Sequence, residues 1–440
     1  MTSKQLLFNR PVPQGWQMLT VDEIKANEPR SCVAGPFGSS ISSKYFVPEG
    51  VPVIRGNNLS DNLKPFVPHG FAFVSEEKAE SFKAQQVKGG DLVFTCWGTL
   101  GQVALIPKKG PYSTYIISNK QLKLRPNLEI CDARFLFYYF ASPQMVQHIR
   151  SIAIGAAVPG INLGILKSLQ VVIPPLPIQR KIAAILSAYD DLIENNTRRM
   201  EILEEMARSI YREWFVNFRF PGNEQVQMVD SELGLIPEGW EVKKLEKVAD
   251  INASTIKPSN ALEEINYIDI SSVSTGKIDK IEPIALSNAS SRARRIVKQG
   301  DIIWSTVRPN RKSYSLILNP IPNLIVSTGF AVVTPKKAPY TYLYHALTTD
   351  NFVGYLTNNA TGSAYPAVNT GDFKNADVLI PRIELMNKFH NIVADIFNEK
   401  DNFLRKNINL RQTRDLLLPR LISGEIDVEN LDINTGQIAA

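Results

Sequence analysis

The sequence predicts an α+β fold made twice: two similar α/β-mixed domains separated by an antiparallel two-helix coiled coil, with a pseudo-two-fold internal repeat. Three observations predict it. First, an ordered set of motifs recurs. Val12-Pro13-Gln14-Gly15-Trp16 opens a segment that closes with Gly155-Ala156-Ala157-Val158-Pro159-Gly160-Ile161-Asn162 and Val171-Val172-Ile173-Pro174. Ile236-Pro237-Glu238-Gly239-Trp240 opens a second, which closes with Gly362-Ser363-Ala364-Tyr365-Pro366-Ala367-Val368-Asn369 and Val378-Leu379-Ile380-Pro381. The closing motifs lie 207 positions apart without a gap. Solenoid units recur every ~20 to 50 residues, so this period marks a duplicated domain. Second, each copy ends in a long stretch of helical periodicity. Third, each copy mixes short strand-like runs with helical patches. The implied boundaries are 1–175 and 221–380 for the domains, 176–220 for the first helix, and 381–440 for the second helix and tail.

Within the domains, Gly90-Asp91-Leu92-Val93-Phe94 and Gly300-Asp301-Ile302-Ile303-Trp304 read as strands, each preceded by Val-Lys. Helical patches fall at 132–149 and 340–356. Loops on such a scaffold are where recognition usually sits. The sharpest charge feature is a loop of the second domain. Between 292 and 312, Arg292, Arg294, Arg295, Lys298, Arg308, Arg311 and Lys312 face one negative residue, Asp301. Arg308-Pro309-Asn310-Arg311-Lys312-Ser313-Tyr314 mixes guanidinium, amide, hydroxyl and aromatic groups. Arg can grip guanine with two bonds, Asn can do the same to adenine, and Lys and Ser serve phosphates. A solvated surface hairpin is the plainer alternative. The corresponding stretch of the first domain, Thr95 to Gln102, is nearly uncharged, so the two domains should read different ligands. Lys44, Tyr45, Arg55, Asn57 and Asn58 are further candidates there. Gly35-Pro36-Phe37-Gly38-Ser39-Ser40 reads as a plain turn rather than a phosphate cradle.

In the first helix the apolar residues Ile182, Ile185, Tyr189, Leu192, Leu203, Met206 and Ile210 follow alternating intervals of three and four, the seam of a coiled coil. Asn196 and Arg199 occupy polar seam positions, and a buried Asn fixes register and partner. Seven positive and seven negative side chains balance over 178–219, which suits a spacer or partner-binding element rather than a phosphate-binding one. The second helix repeats the pattern with Phe389, Ile392, Ile396, Phe403, Leu410 and Leu417, fading at Pro419 or Ser423-Gly424. A narrow apolar seam needs a partner, and its own repeat is the nearest; folding of each helix onto its own domain is the alternative.

Composition is ordinary for a globular chain of 440 residues, with 44% apolar and 21% charged residues. The net charge of +6 permits a polyanionic partner without requiring one. Three scattered cysteines (Cys32, Cys96, Cys131) without a CxxC pair suggest reduced thiols in a cytoplasmic protein. The N-terminus, with Lys4, Asn9 and Arg10 among few apolar residues, lacks a signal-peptide core, and no apolar run reaches membrane-spanning length. There is no Gly-x-x-x-x-Gly-Lys-Ser/Thr loop, no Gly-x-Gly-x-x-Gly after a strand, and no Asn/Asp-Pro-Pro-Tyr/Phe motif. His69, His148, His345 and His390 lack metal spacing. The residues read as a binder, either of DNA or, as a protein scaffold, of peptides and partner helices.

The layout resembles the specificity subunit of type I restriction-modification systems over nearly the full length. The resemblance rests on the paired Pro-Gln/Glu-Gly-Trp openings, the Lys-x-Gly-Asp strands at 88–94 and 298–304, and the two Gly-x-Ala-x-Pro-x-x-Asn closings. Ile173-Pro174-Pro175-Leu176-Pro177-Ile178-Gln179, the run from Ala207 to Phe215 and the terminal Leu416 to Ile426 add to it. Gln179 is matched by Met386 in the second copy, and Ile165 by Asp372, so the copies differ locally. The resemblance implies two target-recognition domains, each reading half of a bipartite target in double-stranded DNA, with the helix pair setting the spacing. It implies a non-catalytic chain that binds no cofactor itself. Its partners would be two modification subunits, which carry S-adenosylmethionine and methylate adenine, joined in systems that also restrict by restriction subunits that use ATP and Mg2+.

Overall fold

The computed structural model describes residues 6–7, 10–60, 62–155, 157–257 and 262–435; Lys4, Asn9 and Ala156 lie outside them. The chain forms two compact units. Unit one comprises 1–195 and 406–440, and unit two comprises 196–405.

Each unit contains the same three sheets in the same order. In unit one, Cys32–Ala34, Gln121–Leu124, Leu92–Thr95 and Val103–Leu105 lie side by side, all antiparallel. A second sheet orders Ala72–Val74, Val51–Ile54, Tyr115–Ile117 and Gln86–Val87, with Tyr115–Ile117 parallel to Val51–Ile54. Unit two repeats this as Ala249–Ile251, Phe330–Pro335, Ile302–Ser305 and Tyr314–Leu316. Its second sheet is Glu282–Ala285, Glu264–Ile268, Leu324–Ser327 and Ala293–Ile296, again with one parallel pair. Leu92–Thr95 and Ile302–Ser305 are buried along their whole length, so they read as continuous apolar runs rather than alternating ones.

The Lys-x-Gly-Asp motif is a turn that launches these strands. Gly90 (φ +92°) and Gly300 (φ +82°) adopt left-handed conformations that favour glycine. The buried carboxylates of Asp91 and Asp301 accept the backbone N–H of Lys88 at 3.1 Å and Lys298 at 2.8 Å. Arg125 closes on both oxygens of Asp91 at 2.7 Å each, whereas the Thr334 hydroxyl donates to Asp301 at 2.7 Å. Burial raises the Asp301 carboxyl above the usual range, against the bonds from Lys298 and Thr334.

The predicted helical patches each divide in two, as Ala133–Ala141 with Pro143–Ser151 and Tyr340–Ala346 with Asp350–Asn359. The hydroxyls of Ser142 and Thr349 cap the second member of each pair, and Pro143 fits the first turn because its missing N–H has no helical partner there. The opening turns match: Trp16 N–H and Trp240 N–H donate to Pro13 O and Pro237 O, both at 3.1 Å. The next strand in each unit pairs antiparallel with the one after the closing motif, Gln17–Thr20 with Gln170–Ile173 and Glu241–Lys244 with Asp377–Ile380. Asn162 and Asn369 cap the short helices Leu163–Ser168 and Thr370–Asn375. Asp372 returns a bond to the backbone of Asn369, a reciprocal cap that Ile165 cannot make.

The long helices are Leu176–Tyr211, prolonged by a wider turn through Arg212–Val216, and Ile383–Ile422. Within each unit they run antiparallel. In unit one, Asn407 Nδ2 donates to Ile193 O at 3.2 Å, Arg414 pairs with Asp190, and Lys181 reaches Glu429 O and Leu431 O. In unit two, Lys400 pairs with Glu204 at 2.7 Å and Arg199 lies over the Phe403 ring. Both ends of each helix also belong to a globular core, a different one at each end. Ile182, Ala183, Leu186, Leu418 and Leu421 join that of unit one. Ala207, Tyr211, Met386, Phe389, Val393 and Phe397 join that of unit two. Both sequence alternatives, the helix pair and the core helix, are therefore realised in each unit.

The packed row corrects the predicted seam. Ile182, Asn196 and Phe389 are buried, and Ile185, Tyr189, Leu203, Ile396 and Leu410 are partly buried. Leu192 (53% exposed) and Ile392 (43%) face outward, and the neighbouring Ile193 and Val393 are buried instead. The small Ala183 and Ala207 hold inward positions that a reading by side-chain size passes over. Gln179 is fully buried and clamps backbone: its amide oxygen accepts from Asp132 N–H and its Nε2 donates to Ile130 O and Pro174 O, all at 2.8 Å. The equivalent Met386 packs as an apolar core residue.

Candidate nucleic-acid interface

In unit two the chain leaves Ile302–Ser305, turns through 306–313 and returns as Tyr314–Leu316. Arg308 (φ +51°) and Lys312 (φ +54°) both take left-handed conformations in this turn. A side chain there costs on the order of 1 kcal/mol, so surrounding structure must hold it. The closing motif does so for Arg308. Its N–H donates to Pro366 O at 2.7 Å, its Nη2 donates to Ala364 O at 3.1 Å, and its guanidinium lies 4.5 Å above the Tyr365 ring. Lys312 pairs with Asp350 at 2.8 Å, at the start of a helix whose dipole also favours that carboxylate.

The other side of the turn is tied as firmly. Thr306 N–H and Oγ1 both donate to Gly329 O at 2.8 Å, and Thr328 N–H donates to Arg292 O at 2.8 Å. Arg292, Thr328, Thr306 and Arg308 thus form one connected strip. Arg292, Arg294, Asn310 and Arg311 are exposed on or beside it. The strip offers charged and amide donors held on a rigid frame, the equipment for phosphate oxygens and base edges.

Unit one uses the same frame with different chemistry. Cys96 N–H donates to Lys120 O at 2.9 Å, Ile161 N–H to Cys96 O at 2.9 Å, and Gly98 N–H to Pro159 O at 3.3 Å. Gly98 (φ +90°) therefore stands where unit two has Arg308. A cleft of about 490 Å³ adjoins this turn, lined in part by Ser60, Thr99, Gln102 and Arg150. Phe37 is 87% exposed at the start of the Gly38–Ser40 turn, and Lys120 and Asn119 are exposed nearby. Among the described residues no group of His, Cys, Asp or Glu side chains could hold a metal ion. Burial pushes the thiols of Cys32 and Cys96 up to about 11 and that of Cys131 to about 12.

This duplicated frame is that of a known family. The model of the type I restriction modification DNA specificity domain matches twice, over residues 37–205 and 237–409. The chain belongs to the type I restriction-modification specificity-subunit family. It is 24% identical over 428 residues to the type I restriction enzyme MjaIX specificity subunit of Methanocaldococcus jannaschii, covering 96% of this chain and 95% of the relative. It is 25% identical to the MjaVIII specificity subunit of the same organism, covering 79% and 81%. The crystal structure of the type I restriction-modification S subunit from M. genitalium has the same fold, with a TM-score of 0.56 at 17% identity over 96% of this chain and 99% of that one.

Among the candidate residues of this specificity subunit, the structure gathers Arg292, Arg308, Asn310 and Arg311 and corrects several others. Asn58 is fully buried: its Oδ1 accepts Arg55 N–H at 3.0 Å and its Nδ2 donates to Val67 O and His69 O. Arg55, half-buried beside the Phe46 ring, and the exposed Asn57 each give one bond to Gly70 O, so both remain candidates on this loop. Tyr314 is buried against Trp304 and Tyr344, and Arg295 turns inward to Asn252 Oδ1 and Phe330 O. Tyr314 is thereby taken into the core, and Nη1 of Arg295 is committed to the frame. Lys44 and Lys78 stack on Tyr45 from 4.7 and 4.0 Å, a small basic cluster at the surface. Charge clustering in the sequence does not mark Tyr365, Lys120 or Phe37. Aligning the two closing motifs onto the two turns is the signal that finds Tyr365.

Proposed function

We propose that this chain is the non-catalytic DNA-recognition subunit of a type I restriction-modification complex, with each unit reading one half of a bipartite target. The observation that carries the reading is the repeated frame with unlike loops. Arg308-Pro309-Asn310-Arg311 occupies in unit two the position held in unit one by Gly98-Thr99-Leu100-Gly101. One scaffold with two unlike chemistries suits an asymmetric pair of half-sites. The helices, of 36 and 40 residues, reach about 54 and 60 Å at 1.5 Å per residue, the scale of a ruler across more than one turn of DNA. Two modification subunits supply S-adenosylmethionine-dependent methylation of adenine; in a system that also restricts, restriction subunits supply ATP and Mg2+ chemistry. The assembly works in the cytoplasm; no described helix is long and apolar enough to cross a membrane.

Sequencing of modified adenines in cells with and without this chain, both supplied with the modification subunits, tests the proposal. A split, asymmetric motif that appears only with the chain is the expected result. An uninterrupted motif, or one independent of the chain, contradicts it.

A further inference from the structure

We infer that Tyr365 is a specificity-positioning residue: its ring and the adjoining carbonyls present the Arg308 guanidinium edge-on to a guanine in the half-site read by unit two. This rests on the reading of unit two as a DNA-recognition unit. The backbone frame does not require either side chain. The equivalent places in unit one hold Gly98 and Val158, and that frame makes the same bonds to its closing motif. Unit two instead places a bulky cation at φ +51°, where glycine is favoured, and an aromatic ring directly beneath it. Tyr365 is 69% exposed, so it contributes little to the core. Its evident contact is the cation 4.5 Å from its centroid.

The geometry also selects which part of the guanidinium is free. The Arg308 Cζ sits 4.5 Å from the Tyr365 ring centroid, and Ala364 O takes one Nη2 N–H. Among the described residues that is the guanidinium's one side-chain hydrogen bond, so the remaining in-plane donors are available. A planar fork with two open N–H groups matches O6 and N7 of guanine in the major groove. Fixing the side chain beforehand lowers the ordering cost of that contact. A lysine at this site would lack the fork, and a flexible arginine would serve any phosphate.

The experiment is selection of bound duplexes from a random-sequence DNA pool by the full chain assembled with its modification subunits. Wild type, Y365F, Y365A and R308G are compared, R308G having the residue that unit one carries at this turn. Wild type and Y365F should enrich the same two-part motif. Y365A and R308G should both relax one guanine position of one half by roughly tenfold or more, leaving the other half intact. If R308G relaxes that position and Y365A does not, the positioning role is overturned while the reading of the loop stands. If neither variant relaxes any position, Arg308 reads no base, and the guanine contact and the positioning role both fall. Loss of both halves in Y365A, or of the guanine in Y365F, also overturns the role, because the ring would not be what acts.

Discussion

Gly160 lies beneath the indole of Trp97 so closely that a Cβ on the glycine would sit 2.2 Å from the ring. The two residues form an isolated antiparallel bridge, and Val307 and Ala367 form the matching bridge in unit two. Where the turn carries a large ring the closing motif carries glycine, and where it carries valine the motif carries alanine. The pair joins the turn after the buried strand to the closing motif in each unit, so packing there controls where the turn sits.

Gly160→Ala should therefore destabilise unit one by about 1–3 kcal/mol through overpacking. Ala367→Gly should cost less than about 1 kcal/mol. Thermal unfolding checks both. The double variant W97V/G160A should recover most of the loss, and simple additivity of the two changes would show that the contact is not the cause.

Asp91→Ala should cost more than Asp301→Ala, although both carboxylates hold the same turn. Removing Asp91 strips Arg125 of its two-bond partner and leaves Glu28 to hold it; this should cost on the order of 3 kcal/mol. Removing Asp301 leaves Lys298 N–H and a hydroxyl unpaired, about 1–2 kcal/mol. Denaturant unfolding of the two variants, read against wild type, checks the order.

Acid should weaken unit two through His345. Burial, reinforced by Arg208 and Lys400, lowers its pKa from 6.5 to about 3, and its Nε2 is buried without a partner. The unfolded chain thus binds a proton that the folded chain refuses between those values. Stability from this group is complete above pH 6.5 and falls by up to about 1.4 kcal/mol per unit as pH drops toward 3. His345→Phe keeps a ring between Tyr211 and Phe397 and should flatten that limb of a plot of melting temperature against pH. An unchanged slope would assign the acid response to other groups.

Arg311 is exposed on the basic strip and should meet phosphate. Arg311→Glu in the assembled complex should weaken binding to all sequences alike and reduce the slope of log affinity against log salt by roughly 0.9 or more. A slope equal to wild type would remove Arg311 from the interface.

The repeat was legible in the sequence because each signature answers a local backbone need. Gly90 and Gly300 take left-handed turns, Asp91 and Asp301 cap them, and Asn162 and Asn369 cap helices, so their spacing survives in the chain. The helix seam was legible in period but not in phase. Leu192 and Met206 outweigh Ile193 and Ala207 by size or rank equally, and only the opposing helix and the adjacent core decide between them. At the site, clustered charge pointed to Arg308 and Arg311 but could not separate them from Arg295 or Tyr314, whose partners Asn252 and Trp304 are fixed by sheet pairing. Tyr365 carries no charge signal, and it meets Arg308 only through a fold-back of more than fifty residues.

Helix length should translate into DNA spacing. Adding seven residues to each helix, beside Asn195 and Arg405, lengthens the pair by about 10 Å, or about three base pairs. The methylated motif should keep both halves and widen its gap accordingly. An unaltered gap would end the ruler role.

Exchange of residues 236–380 for the corresponding block of another family member, followed by mapping of methylated adenines, tests the division of labour most directly. One half of the motif should change to the donor's sequence while the other half stays as it was. A change in both halves, or in neither, would contradict reading by two independent units.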